Sequence, residues 1–359
     1  MIGYPLLLRP QFDAKIWGGR RLESMLNKPL PDQVPVGESL ESGNAAVVAN
    51  GSFAGRTLAE LAGRFPGELL GTRGREASLP VGDFPLLVKF IDASKVLSIQ
   101  VHPDDDAAAA LGKRGKTEAW HILDAEPGAA LLTGLREGVT GSQVRQAIAD
   151  GSFESLLEQC PVFPGDSLIV PAGAVHAIGG GILLYEIQET SDITFRLYDW
   201  GRMDASGRPR ESHLDQALQI MVPGRNATKI TPLALDSSRM VLAACRYFTL
   251  ERWQIDTAYP APTTGGGSFR LLSCIAGSCS LRTGNGAWTI TLGETALIPA
   301  DLSDLTLDGE ATLLSGWIAD LARDVVAPLL TAGHPPEQVT LLGGGTRDLD
   351  QALILAQQG

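Results

Sequence analysis

The sequence predicts a mainly β protein, built as two strand-rich blocks with a few helical insertions and a helical end. Three observations predict it. Glycine (41 residues) and proline (22) are abundant while only 19% of the 359 residues are charged, a balance that suits short strands and tight turns better than a helical bundle. Apolar runs of strand length, punctuated by Gly, Pro and Asp, recur through the first two thirds. Regular patterning lapses at 227–232, and a second series of strand-like segments follows.

Taken in order, strands are expected at 86–91, 96–101, 120–123, 129–132, 167–170, 182–187 and 193–198. Helical insertions are expected at 57–65, where Leu58, Leu61 and Ala62 recur at three- and four-residue spacing, at 140–148 running into Gly151, and at 155–159. The second block reads as strands at 247–254, 269–275, 279–282, 287–291 and 295–299, with Gly284-Asn285-Gly286 closing a hairpin. A second β-barrel or jelly roll is the natural reading. From 321 onward the pattern turns helical; Gly343-Gly344-Gly345-Thr346-Arg347 lacks the Lys-Ser/Thr of a phosphate loop and reads as a linker to a terminal helix. The expected units are 1–232, 233–320 and 321–359, and the middle one contains no histidine.

Composition narrows the function. A formal net charge of -12 argues against an electrostatic footprint for nucleic acid or for an anionic membrane. A small anionic substrate would need a local basic pocket. Cys160, Cys245, Cys274 and Cys279 form no CxxC pair, which suits free thiols in a reducing compartment. The amino terminus lacks a basic region and a long apolar run, so a cytoplasmic location is expected.

Chemistry concentrates in His102, Glu118 and His176. On a strand, residues two apart share a face, so Ser98, Gln100 and His102 point one way while Leu97, Ile99 and Val101 point the other. The same arithmetic groups Lys116, Glu118 and Trp120, and it turns His121 away from the carboxylate, as a structural or surface histidine. Two imidazoles, a carboxylate and the Gln100 amide would leave room at an ion for water or substrate, as a catalytic zinc site requires.

The order Pro164-Gly165-Asp166, strand, Pro171-Ala172-Gly173, then His176 resembles the second conserved motif of the cupins, metal-binding jelly rolls. Leu97-Ser-Ile-Gln-Val-His-Pro-Asp104, Lys116-Thr-Glu118 and Tyr185-Glu-Ile-Gln-Glu-Thr-Ser-Asp-Ile-Thr-Phe-Arg196 together resemble class I mannose-6-phosphate isomerases, zinc-dependent members of that superfamily. Ile16-Trp-Gly-Gly19, Gly37-Glu-Ser-Leu-Glu-Ser42 and Ile298-Pro-Ala300 support the likeness, which spans about residues 5 to 300. Thr117, where larger members commonly carry proline, suggests the shorter bacterial branch.

The resemblance implies a cupin domain at 1–232 carrying one Zn2+ on Gln100, His102, Glu118 and His176, followed by a metal-free jelly-roll-like domain at 233–320. It implies Arg196, Lys116 and Glu186 as catalytic residues, with Ser98, Lys116 and Arg196 binding substrate. The implied partner is a sugar phosphate, and the protein would be a monomer or homodimer. Residues 321–359 fall outside the likeness and are expected to serve packing or oligomerisation.

Interconverting mannose 6-phosphate and fructose 6-phosphate moves a proton between C1 and C2 through an enediol, which calls for a Lewis acid and a nearby base. Lys116, Glu186 or a metal-bound water could be that base. Arg196 suits phosphate or an enediolate. Two alternatives share the fold. Two histidines and a carboxylate also make the facial triad of non-haem iron dioxygenases, and a non-catalytic sugar-binding cupin needs no Lewis acid. The Gln100 donor and the cations Lys116 and Arg196 distinguish the isomerase reading from the dioxygenase, and metal-dependent turnover would distinguish it from the binding module. On the opposite view, Glu186 would pair with Arg202, and Lys116 and Arg196 would be solvated.

Overall fold

A computed structural model describes residues 2–79, 81–203 and 207–358. Two antiparallel sheets dominate it. The first runs, in order of pairing, Thr228–Ile230, Ser167–Val170, Glu118–Ala125, Ile182–Glu189, Leu86–Ala93, Val36–Leu40 and Gln11–Gly19. The second is organised around the long strands Arg270–Thr283 and Thr306–Trp317, and Leu6–Arg9 crosses to it by pairing with Thr295–Ile298. Two small sheets, Ile99–Val101 with Phe195–Tyr198 and Ala130–Leu135 with Leu157–Pro161, stand apart from both. No sheet closes on itself by strand pairing among the described residues.

Period-two alternation decides what each face of the first sheet buries. Leu86, Val88 and Phe90, with Leu183, Tyr185 and Ile187, pack outward into a large core shared with Leu271, Leu297 and Leu314 of the second sheet. Their neighbours Ile91, Trp120, Ile122 and Leu184 face inward, onto Leu97, Leu131 and Ile178 of the opposite wall. Of the candidate site residues, Glu118 and Glu186 belong to this inward face, while Gln100 and Arg196 belong to the small sheet Ile99–Val101 with Phe195–Tyr198. Behind that wall, Ile99, Val101 and Leu197 pack against Val144 and Ala147 of helix Gly141–Asp150.

The helix expected at 140–148 begins at a Thr140–Gln143 capping box and ends at Gly151, whose φ of 78° suits glycine. The insertion expected at 57–65 starts likewise, with Thr57 and Glu60 capping Leu58–Arg64. The segment expected to be helical at 155–159 is instead a short 3-10 turn, Phe153–Leu156, followed by strand Leu157–Pro161. Cross-strand pairing with Ala130–Leu135 outweighs the local helical pattern there. The expected strands at 269–275 and 279–282 are one bulged strand, Arg270–Thr283, and its hairpin to Gly286–Thr291 turns on Gly284 and Asn285. The four cysteines are unpaired.

Candidate metal centre

Strand pairing brings the predicted residues together from distant sequence. Gln100 bridges to His176, Arg196 stands opposite Gln100, and Glu118 stands opposite Gln188 on the neighbouring strand. One row across three strands is Lys89, Glu186 and Trp120, directly opposite one another and therefore on the same face.

His102, Glu118 and His176 converge with ligand atoms all within 4.8 Å of one another, and each residue is about 1% exposed. His176 Nε2 lies 3.3 Å from Glu118 Oε1, and His102 Nε2 lies 3.7 Å from Glu118 Oε2. Both imidazoles are oriented from behind. His102 Nδ1 is 2.8 Å from the Ile193 carbonyl and His176 Nδ1 is 3.0 Å from the Ala174 carbonyl. A carbonyl only accepts, so each Nδ1 carries the proton and each Nε2 presents a lone pair to the common centre. Burial first, then the charge of Lys116 and the neighbouring His176, holds His102 well below the usual histidine range. Burial brings His176 down to about 4. Both rings are neutral, as metal ligands must be.

Glu118 supplies the test of fit. Neither of its buried oxygens meets a donor in hydrogen-bonding geometry, although Lys116 Nζ is 2.9 Å from Oε2. Burial pushes its carboxyl up to about 7, against the pull of Lys116. A divalent cation would satisfy both oxygens and reverse that shift, so the residues fit a metal. Gln100 completes the set. Its Nε2 sits 3.4 Å from the Nε2 of each histidine while Oε1 accepts from Ser98 Oγ at 3.3 Å. A half-turn of the amide puts the oxygen toward the centre and an N–H toward Ser98.

The centre lines a cavity of about 340 Å3 together with Ser98, Lys116, Glu186 and Arg196, so every predicted site residue but the two histidines is among its lining groups. Glu186 does not pair with Arg202. It accepts from Trp120 Nε1 at 2.9 Å and meets Lys89 Nζ at 3.4 Å. Arg202 pairs with Asp199. Burial alone would raise Glu186, but Lys89, then Lys116 and the indole N–H, outweigh it and hold the carboxyl below its ordinary value. Lys89 is held above the ordinary lysine value, since Glu186, Glu38 and Glu118 outweigh its burial. Arg196 donates to the Glu211 carbonyl at 2.7 Å and has its Nε buried without a partner. Arg210, paired with Asp199 at 2.9 Å, lines the same cavity.

Lys89, Glu38 and Arg210 were not among the residues expected. A single lysine inside the apolar run 86–91 was the available signal for Lys89. His121 is turned away as expected, buried against Ser167 Oγ at 2.9 Å.

Two packed antiparallel layers with a His–Glu–His centre on an inner face define a cupin with a candidate metal site. Residues 6–125 match the family described as phosphomannose isomerase type I, catalytic domain, and residues 238–316 match mannose-6-phosphate isomerase, cupin domain. The mannose-6-phosphate isomerase of Streptococcus mutans is 34% identical over 319 residues, covering 87% of this chain and 97% of that protein. Mannose-6-phosphate isomerase ManA of Bacillus subtilis is also 34% identical, over 86% of this chain and 96% of its own. The crystal structure of the Bacillus subtilis mannose 6-phosphate isomerase superposes with a TM-score of 0.78 at 31% identity, over 87% of this chain and 99% of that one. A mannose 6-phosphate isomerase bound with zinc and yttrium shares the fold at 16% identity and a TM-score of 0.69, over 88% of this chain and 99% of that one. The chain belongs to the type I mannose-6-phosphate isomerase family.

Proposed function

We propose that this protein is an aldose–ketose isomerase interconverting mannose 6-phosphate and fructose 6-phosphate at a zinc centre, one ion per chain, on His102, Glu118, His176 and Gln100. The observation that carries this reading is the convergence of two neutral imidazole nitrogens and a buried carboxylate that lacks a hydrogen bond, beside a cation-lined cavity. Bound there, zinc supplies a Lewis acid for a sugar oxygen. The catalytic unit is 1–232, and the domain at 233–320 contributes no ligand.

The remaining chemistry falls to the side chains. Glu186 is held ionised, and its buried Oε1 faces only Lys89 Nζ, at 3.4 Å and outside hydrogen-bonding geometry. It takes the proton from C2 of open-chain mannose 6-phosphate and returns it to C1, while a proton passes from O2 to O1. Lys89 keeps Glu186 charged between these steps. Lys116 holds the Glu118 carboxylate in place. Arg196 and Arg210 draw the anionic phosphate, and Ser98 positions the Gln100 amide and meets substrate. A sugar phosphate and a cytoplasmic location belong to the same reading; no described helix is long and apolar enough to cross a membrane.

Family membership and the cations favour this reading over an iron dioxygenase or a non-catalytic binding module. The test is a coupled assay converting fructose 6-phosphate to mannose 6-phosphate, with and without chelator. Turnover that chelator abolishes and zinc restores, absent in His102→Ala and His176→Ala, is the expected result. Oxygen consumption without isomerisation, or turnover indifferent to chelator, would overturn it.

A further inference from the structure

The histidine-bearing segments are held from behind by the far end of the chain. Val325, Val326, Leu329, Val339, Leu342 and Leu349 are at most 1% exposed and join the core between the sheets, so the carboxy-terminal helices are no loose appendage. Two routes lead from them toward the metal centre. On the first, turn Gly344–Thr346 lies against strand Ser167–Val170: a methyl group on Gly344 would sit 3.4 Å from the Cβ of Ile169 and of Thr228, and one on Gly345 would sit 3.8 Å from Cγ of Pro171. Pro171 opens the loop that ends in His176, and Gly173 in that loop donates to the His102 carbonyl at 2.8 Å.

On the second route, the Leu342 carbonyl accepts from Ala244 N–H at 3.1 Å, and Asp348 Oδ2 accepts from Arg246 N–H at 3.0 Å. These bonds fix the turn that carries Tyr247, whose hydroxyl donates to Asp105 Oδ2 at 2.8 Å. Asp105 follows the His102-Pro-Asp segment, and its Oδ1 accepts from Gly115 N–H at 3.0 Å, next to Lys116. Both routes therefore end beside a histidine-bearing segment, the first at the loop before His176 and the second just after His102.

We propose that the helical segment from 321 onward is a clasp that fixes the His102 and His176 turns, with Asp348 and Tyr247 as positioning residues that slow release of the metal. This rests on the metal centre assigned above. A ligand set is retained by the stiffness of the backbone that delivers it as well as by its donors, and groups behind the ligands tune metal affinity.

The test uses the full-length, zinc-loaded protein and a chromophoric chelator, at a temperature far below melting. Asp348→Ala and Tyr247→Phe should each speed zinc release about threefold to tenfold, less than the loss of a group bonded directly to a ligand. Asp348→Asn, which keeps an acceptor for Arg246 N–H, should restore the wild-type rate. Arg323→Ala, on the exposed side of the same segment, should leave it unchanged. Melting of the metal-free variants, measured in parallel, separates the clasp from a general loss of stability, which would move melting and leave the release rate alone. Release within about twofold of wild type in both variants, or no rescue by Asp348→Asn, overturns the clasp while the metal centre stands. Wild-type protein that holds no zinc overturns the centre and the clasp with it.

Discussion

At the scale of single residues, the site was legible where chemistry and spacing act together and illegible where strand pairing acts alone. Gln100, His102, Glu118 and His176 could be proposed because few residue types bind metals, period two groups Gln100 with His102, and the order of turns before His176 resembles a cupin motif. Lys89 and Glu38 meet Glu186 or one another only through the register of the first sheet, which one sequence does not reveal. The role assigned to Glu186 predicts that Glu186→Gln, which keeps an acceptor for Trp120 Nε1, lowers kcat by about 10²- to 10⁴-fold. KM should change little, because the charge is spent on proton transfer; steady-state kinetics would show a loss confined to KM if Glu186 only binds sugar. A second prediction concerns His121, which burial brings down to about 4 from the ordinary 6.5. The native state therefore resists protonation that the unfolded chain accepts. Its contribution is complete above pH 6.5 and is lost as pH falls through 4, by about 3 kcal/mol in all. Urea denaturation between pH 7 and 4 should show a shallower fall in stability for His121→Gln than for wild type, and parallel curves would refute the assignment.

At the scale of elements, sequence pattern identified most strands lining the site and mistook several others. The expected strand at 96–101 shrinks to Ile99–Val101 because Leu97 instead donates to the Ile178 carbonyl, a contact made across the fold. Strand Thr306–Trp317 went unread, since Asp308-Gly309-Glu310 breaks its apolar alternation, yet it is one of the two long strands around which the second sheet is organised. Helix 141–150 was legible from both ends, because caps are local chemistry. It packs behind the wall that carries Gln100, and its buried apolar partners Ile99, Val101 and Leu197 do not line the cavity. Thr140→Ala should thus cost about 1 kcal/mol of unfolding free energy with kcat unchanged. A fall in kcat larger than the change in stability explains would show that this helix reaches the site.

At the scale of the whole molecule, a buried polar network crosses the largely apolar seam between the sheets, and that network sets how the layers meet. Lys28 Nζ lies 2.5 Å from Glu41 Oε1 and also donates to the Gly293 carbonyl, with Phe90 beneath it at 4.8 Å. Ser39 Oγ donates to Glu41 Oε1 at 2.6 Å and Thr295 Oγ1 to Oε2 at 3.1 Å. From Thr295 the chain of contacts continues through Ser273 to the Tyr185 hydroxyl, beside Glu186. Glu41, Phe90 and Tyr185 belong to the first sheet's side, Gly293, Thr295 and Ser273 to the second's, so the network is satisfied in only one register of the two layers. None of this could be read from the sequence, where Lys28 and Glu41 are ordinary charges in a loop and at a strand end. Desolvating two charges roughly cancels their attraction, so the pair should matter little to stability when both members are removed, and greatly when one is. Lys28→Met should destabilise by about 3 to 5 kcal/mol, because Glu41 is left charged and buried, whereas Lys28→Met with Glu41→Leu should recover most of that loss. Denaturant titration of the two single variants and the double variant decides the point. A double variant as unstable as Lys28→Met would mean that the pair itself stabilises the seam. Recovery of stability with a lowered kcat would mean instead that the network's use is to hold the Tyr185–Glu186 strand in register with the metal centre.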